Sequence, residues 1–279
     1  MSAPSAVNVL VPEGAAATGT GPWEHPALRA VSGAMLRPGG LALTRRALEL
    51  AAPLVGLPQG ALVADVGCGP GETVALLRER GLAAVGLDLS ASLLDEARGR
   101  DEAMPLIRAN AGADAEVGLP LRTASLDGAF CECVLSVLPG REAVLAELAR
   151  VLRPGGVLVW SDLYVRDGRP AGAWRGTDGC ADGGEPRCSA PPVSGRSCLA
   201  GAIPRAAMED MLQRTGFTVL AFEDHSRLLA ELAGRLLFAG AGLAELFGCG
   251  GSGGGRPGYA LLLARRNGHR QGEPRGDAS

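Results

Sequence analysis

The sequence lacks the basic excess that holds a phosphate backbone. Its formal net charge is −3 and aromatics make up only 4% of its residues. No Lys/Arg cluster is interleaved with those aromatics, so nucleic acid is not an expected partner. The first residues, MSAPSAVNVLVPEG, lack the basic and apolar regions of a signal peptide. An uncharged apolar run of spanning length is also missing. The most apolar long stretch, Leu228 to Phe247, is interrupted by Glu231, Arg235 and Glu245, so no membrane partner is expected. The seven cysteines are odd in number and lack both a disulfide framework and the CxxC spacing of a zinc knuckle. A cytoplasmic, reducing setting without a structural metal follows as the expectation. Internal repeats are absent, and nothing signals an oligomeric state.

What is present is 279 residues with 47% hydrophobic content, enough for one large α/β domain. Residues 1–22 are rich in Gly, Ala and Pro and read as a disordered leader, as does the tail 267–279. Between them, 23–266, short apolar runs alternate with helical patterns. That alternation predicts a doubly wound, Rossmann-like sheet. Strands are expected at Ala61–Val66, Ala83–Leu87, Leu106–Ala109, Gly128–Cys133, Val157–Trp160, Phe217–Phe222 and Gly258–Ala264. Helices are expected at Glu72–Arg80, from Ser90 through Ala97, and at Arg141–Leu152, Pro204–Arg214 and Leu228–Ala239. Ser90 reads as an N-cap, and Glu231 and Arg235 as an i,i+4 pair. Arg153-Pro154-Gly155-Gly156 reads as a helix breaker. Residues 166–197 turn Gly/Pro/Cys-rich and aperiodic, as a lid or disordered insertion would.

The segment VADVGCGPGE follows a strand and opens a helix. Its glycines, Gly67, Gly69 and Gly71, allow a tight turn and close approach of a ligand. A dinucleotide fingerprint needs a further glycine where Glu72 stands. A glutamate there repels a pyrophosphate, which disfavours a nucleotide-dependent oxidoreductase. Asp88, at the end of the second strand, is suited to accept from both ribose hydroxyls of a nucleoside. Asp114 and Ala115, in the loop after the third strand, suit an adenine amino group and ring nitrogen.

These features in this order resemble class I S-adenosylmethionine methyltransferases, over about residues 40 to 165. The segments LDGAF and ELARVLRPGG match later signatures of that family. The resemblance implies a seven-stranded sheet, mostly parallel, with an antiparallel last strand. It implies that Asp65, Gly67, Gly69 and Gly71 cradle the methionine part of S-adenosylmethionine, Asp88 the ribose, and Asp114 with Ala115 the adenine. The acceptor expected is a small molecule. The cofactor already carries an activated methyl group, so positioning supplies most of the acceleration and no catalytic triad is needed. A cofactor-binding partner protein without turnover has the same cofactor residues, and it stays open as a rival.

Acceptor residues are expected at the carboxyl ends of later strands. Cys131-Glu132-Cys133 ends the fourth, Ser161-Asp162-Leu163-Tyr164 the fifth, and Cys198-Leu199-Ala200-Gly201-Ala202 precedes the sixth. Glu132, Cys133, Asp162 and Cys198 are the candidate catalytic set. In this order the three segments look like arsenite methyltransferases, whose metalloid-binding thiols would fall on Cys133 and Cys198. Paired thiolates suit a soft acceptor. Glu132 stands where that family has Asn, and Val74 where it has a further cysteine. The alternative is that Cys131 and Cys133 are small core residues.

His225 is read either as a general base or as a cap for the helix that follows. Trp23 and His25 precede the domain as part of a lid or as a staple, and Arg37-Pro38-Gly39-Gly40 resembles a loop over the cofactor. Cys68 reads as a packing residue and Cys249 as a solvated loop residue. Cys180 and Cys188 belong to the insertion.

Overall fold

A computed structural model describes residues 23, 26–112, 118–166, 198–199, 201–241 and 256–268. The expected leader, nearly all of the 166–197 insertion and most of the tail lie outside them, as do His25, Asp114, Ala115, Cys180, Cys188 and Cys249.

Two helices, α1 (Pro26–Ser32) and α2 (Gly40–Leu54), precede β1 (Leu62–Val66). Then come α3 (Glu72–Glu79), β2 (Ala83–Asp88), α4 (Ala91–Arg100), β3 (Leu106–Arg108), β4 (Leu126–Glu132), α5 (Arg141–Val151) and β5 (Leu152–Val165). The described chain continues with β6 (Ile203–Pro204), α6 (Arg205–Arg214), β7 (Phe217–Asp224), α7 (Ser226–Phe238) and β8 (Pro257–Arg266).

The sheet runs β3-β2-β1-β4-β5-β8-β7, with β6 paired to β5 off this path. The β3-β2-β1-β4-β5 pairs are parallel, and β8 is antiparallel to both β5 and β7. Alternate residues of the central strands divide between two cores. Val63, Phe130 and Val159 pack with Leu43 and Ala47 of α2 and Val74 and Leu77 of α3. Ala64, Ala129 and Leu158 pack with Val144, Leu145 and Leu148 of α5 and Met208 and Leu212 of α6. Strands buried on both faces carry continuous apolar runs, which is why β1, β4 and β5 read so clearly. Leu28 of α1 packs on Leu232 and Leu236 of α7. No described helix is long and apolar enough to cross a membrane.

Three local expectations need correction, and one short strand is additional. Arg153–Gly156 does not separate helix from strand. β5 already begins at Leu152, and its register on β4 jumps from Leu126↔Leu152 to Gly128↔Val157. The intervening residues bulge out of the ladder, with Gly155 at φ 83°. The strand β6 was not anticipated, because two residues carry no readable period. Glu231 pairs with Arg227 (3.0 Å) rather than Arg235, whose Nη2 donates to the Val31 carbonyl. His225 occupies the N-cap position of α7 but makes no side-chain cap. Asp224 instead accepts from the Ser226 amide at 2.8 Å. The Ser90 cap is present, its hydroxyl accepting from the Leu93 amide.

Candidate active site

The carboxyl ends of β1, β2, β4 and β5 define one rim of the sheet. Because β8 runs antiparallel, its first residues reach the same rim, with Tyr259 opposite Leu163.

The glycine loop is tied to β2. Gly67 and Cys68 amides both donate to the Leu87 carbonyl, at 2.7 and 3.0 Å. Gly67 has φ 75°, and a Cβ there would lie 2.3 Å from Val134 Cγ2, so the loop packs directly on the turn after β4. Gly69 also has a positive φ, but a Cβ there meets nothing within 4 Å. A side chain would find space there, so the positive φ and not crowding favours glycine at this position. Asp88 links loop and strand: Oδ2 accepts from the Gly69 amide and Oδ1 from the Ser90 amide, each at 2.8 Å. Glu72 opens α3 and pairs with Arg100. Cys68 is buried, and burial pushes its thiol well up, as a packing residue requires.

Asp65, on β1, is 3% exposed. Burial pushes its carboxyl well above the ordinary range, Glu132 and Asp88 push the same way, and Arg37 opposes them. None of the described residues donates a hydrogen bond to it. This buried carboxyl is suited to receive a cationic donor.

Beside it lies a buried polar network. Glu132, at the end of β4, accepts from Thr44 (3.1 Å to Oε1) on α2 and from Thr73 (3.1 Å to Oε2) on α3. Arg37 Nη2 sits 2.8 Å from Glu132 Oε2. The side chains of Arg37 and Glu132 are 10% and 2% exposed. Burial works against the Arg37 cation, but Glu132, Tyr259 and Asp65 outweigh it and raise its pKa.

Cys133 follows β4 with φ 62°. A non-glycine residue in that region carries about 1 kcal/mol or more of strain. The turn has a consequence: Cys131 packs in the core beneath α5, whereas Cys133 packs in the opposite core with Cys198 and Tyr259. Cys133 and Cys198 pack in the same core cluster, near enough to interact. That interaction comes first among the causes that push Cys133 well up, followed by burial. Both cysteines are free thiols. Asp162, 1% exposed, accepts from the Ser136 and Leu163 amides at 2.8 Å. It thereby ties the turn after β4 to β5. Burial raises its pKa while those bonds hold it down.

The candidate residues Asp65, Gly67, Gly69, Gly71, Asp88, Glu132, Cys133, Asp162 and Cys198 thus gather at one rim. His225 lies further out, its Nε2 2.9 Å from Glu223 Oε2, and Glu223 is also held by Arg46 at 2.6 Å. No group of three His, Cys, Asp or Glu that could hold a metal occurs among the described residues. Sequence reasoning missed Thr44, Thr73 and Tyr259, and it noted Arg37 only through its loop. Those residues come from four separate elements, and only the fold brings them together.

The fold and this rim are similar to those of the class I S-adenosylmethionine-dependent methyltransferases. Residues 64–160 match the family model of a methyltransferase domain. A malonyl-[acyl-carrier protein] O-methyltransferase of Serratia marcescens is 38% identical over 121 residues, covering 43% of this chain and 46% of that protein. A trans-aconitate 2-methyltransferase of Azoarcus sp. (strain BH72) is 44% identical over 117 residues, covering 41% and 44%. The matched region is thus less than half the length of either relative. The solved structure of phosphoethanolamine N-methyltransferase 2 from Haemonchus contortus, in complex with S-adenosyl-L-methionine, aligns with a TM-score of 0.60 at 16% identity. That alignment covers 87% of this chain and 56% of the other.

Proposed function

We propose that this chain is an S-adenosylmethionine-dependent methyltransferase acting on a small-molecule acceptor by in-line transfer. The observation that carries the reading is the placement of two strand-end carboxyls on either side of the glycine loop. Asp88 is bonded to the Gly69 amide, and Asp65 is buried, with no hydrogen bond to it from any of the described residues.

When bound, S-adenosylmethionine supplies a methyl group activated by its sulfonium. The loop of Gly67, Gly69 and Gly71 lets the backbone come close to it. Asp88 accepts the ribose hydroxyls, and Asp65 accepts the ammonium of the amino-acid part. Asp114 and Ala115, outside the described residues, keep the adenine role that the family resemblance gives them. On the acceptor side, Cys133, Cys198 and Tyr259 form one wall. Glu132 and Asp162 act by position, the first holding Arg37, Thr44 and Thr73, the second fixing the turn after β4. Both relatives are named for carboxylic-acid acceptors, so the acceptor class proposed here is a small carboxylic acid or its thioester. The free cysteines fit a cytoplasmic, reducing setting.

A thiophilic acceptor such as an arsenical is a second reading. It rests on the packing of Cys133 and Cys198 in one core cluster, and neither relative named above supports it.

The test is calorimetry with S-adenosylhomocysteine, followed by turnover of methyl-labelled S-adenosylmethionine against a panel of carboxylic acids, thiols and arsenicals. Binding with turnover on any acceptor supports an enzyme. Binding without turnover across the panel favours a silent cofactor-binding partner, and no binding by folded protein sinks the reading.

A further inference from the structure

The turn after β4 is packed from two sides. On the cofactor side, a Cβ on Gly67 would lie 2.3 Å from Val134 Cγ2. On the other side, a Cβ on Gly201 would lie 1.8 Å from the Ser136 carbonyl oxygen. Residues 133–136 therefore fill the space between the glycine loop and the segment that carries Cys198 and Gly201. Cys133 begins the turn, and it packs in one core with Cys198 and Tyr259.

The peptide unit between Leu135 and Ser136 is gripped at both ends. Its N–H donates to Asp162 Oδ2 at 2.8 Å, and its carbonyl accepts from Arg141 Nε at 2.8 Å. Arg141 Nη2 also donates to the Gly201 carbonyl at 2.6 Å. Nε and Nη2 share one edge of the planar guanidinium, so a single side chain holds both backbone segments in a fixed relation. Arg141 stands where a cation is disfavoured. It opens α5, at the positive end of the helix dipole, and burial lowers its pKa against the pull of Asp162. The two carbonyls offset that cost.

We propose that Arg141 and Gly201 are positioning residues for methyl transfer. They lock the Cys198 wall to the same turn on which the glycine loop packs, and so set the spacing between acceptor and cofactor. The inference rests on the methyltransferase reading and deepens it. In-line transfer is sensitive to such spacing, since a misplacement of about 1 Å costs on the order of 100-fold in rate.

The test compares the wild type with Arg141→Met, Arg141→Lys and Gly201→Ala, each checked for folding by circular dichroism. Iodoacetamide labelling, read at each cysteine by mass spectrometry, reports whether the two segments part. Calorimetry with S-adenosylhomocysteine reports the cofactor half. Kinetics with methyl-labelled S-adenosylmethionine, on the panel acceptor turned over fastest, separate kcat from KM. In Arg141→Met and Gly201→Ala, Cys198 should label roughly 10- to 100-fold faster. Cys131, in the opposite core, should stay as protected as in the wild type. Affinity for S-adenosylhomocysteine should hold, while kcat falls by roughly 10- to 100-fold with little change in the cofactor's KM. Arg141→Lys keeps the charge but replaces the two-nitrogen edge by one ammonium, so it should restore part of each loss. It and Gly201→Ala give the result if Arg141→Met does not fold.

Cys198 labelling at the wild-type rate in the folded variants would overturn the proposal. So would Cys198 and Cys131 rising together, which is general loosening, or a freed Cys198 with kcat unchanged. A wild type that binds no S-adenosylhomocysteine sinks the methyltransferase reading instead. In that case, or where no panel acceptor is turned over, labelling alone decides whether Arg141 and Gly201 lock the two segments.

Discussion

Nη2 of Arg37 lies 2.8 Å from Oε2 of Glu132, joining the loop before α2 to the end of β4 through an almost fully buried ion pair. Removing one partner of such a pair leaves an uncompensated charge, at about 3–5 kcal/mol. Glu132→Gln is therefore expected to lower unfolding stability in urea by that order. The double variant Arg37→Met/Glu132→Gln should lose much less than the sum of the two single losses, because the residues share one network. Additive losses would mean that the two side chains are not coupled.

Asp65 makes a pH-dependent prediction. Its folded pKa is raised, chiefly by burial, so the unfolded chain gives up this proton before the folded one does. Between the ordinary carboxyl value of about 4 and the raised folded value, stability falls as pH rises. Asp65→Asn removes that loss. Its melting temperature should match the wild type at the acid end and exceed it increasingly as pH climbs through the window, by about 2–4 °C per kcal/mol recovered. The same variant should bind S-adenosylhomocysteine more weakly, because an amide is a poorer partner for an ammonium. Equal melting curves at every pH would show that the carboxyl is not penalised by folding.

Asp88 is bonded on both oxygens to the backbone that shapes the nucleoside end of the site. Asp88→Ala removes these bonds and the acceptor proposed for the ribose. Calorimetry should register a loss of S-adenosylhomocysteine affinity of 100-fold or more, from two or more bonds to a charged group at about 1.5–3 kcal/mol each. Asp88→Asn keeps one acceptor oxygen and should lose roughly 10-fold. If the alanine variant binds normally, the ribose is held elsewhere.

The two adjacent thiols can be probed with phenylarsine oxide, which bridges neighbouring sulfurs. The wild type should take up one equivalent, and Cys133→Ser and Cys198→Ser should each lose it. Cys131→Ser should keep it, because Cys131 packs on the opposite face of the sheet. Unchanged uptake in both of the first two variants removes the thiophilic reading.

The sheet was legible because its strands are buried on both faces and so carry mostly apolar runs, as in Val157–Trp160. The cofactor rim was legible because the glycines, Asp65 and Asp88 sit close together in sequence around one crossover. The Arg37 network was not. Thr44 looks like any polar residue in a helix, Thr73 like any first-turn threonine, and their convergence on Glu132 depends on how α2 and α3 pack. The Arg153–Gly156 bulge was misread because proline and glycine signal a break without saying whether it falls between elements or inside one. The Glu231–Arg235 expectation failed for a related reason. Spacing allowed two partners, and Arg235 was drawn to the Val31 carbonyl of the neighbouring α1.

β8 fills the slot between β5 and β7, although it comes last among the described elements. A ribosome making this chain therefore delivers the strand between β5 and β7 after both of its neighbours. Until Pro257–Arg266 emerges, β5 has no antiparallel neighbour and β7 has no sheet to join, so a bare apolar seam waits for its plug. Nascent chains paused before that point should be the species that chaperones hold longest, and completion of the rim around Tyr259 should be among the final events of maturation.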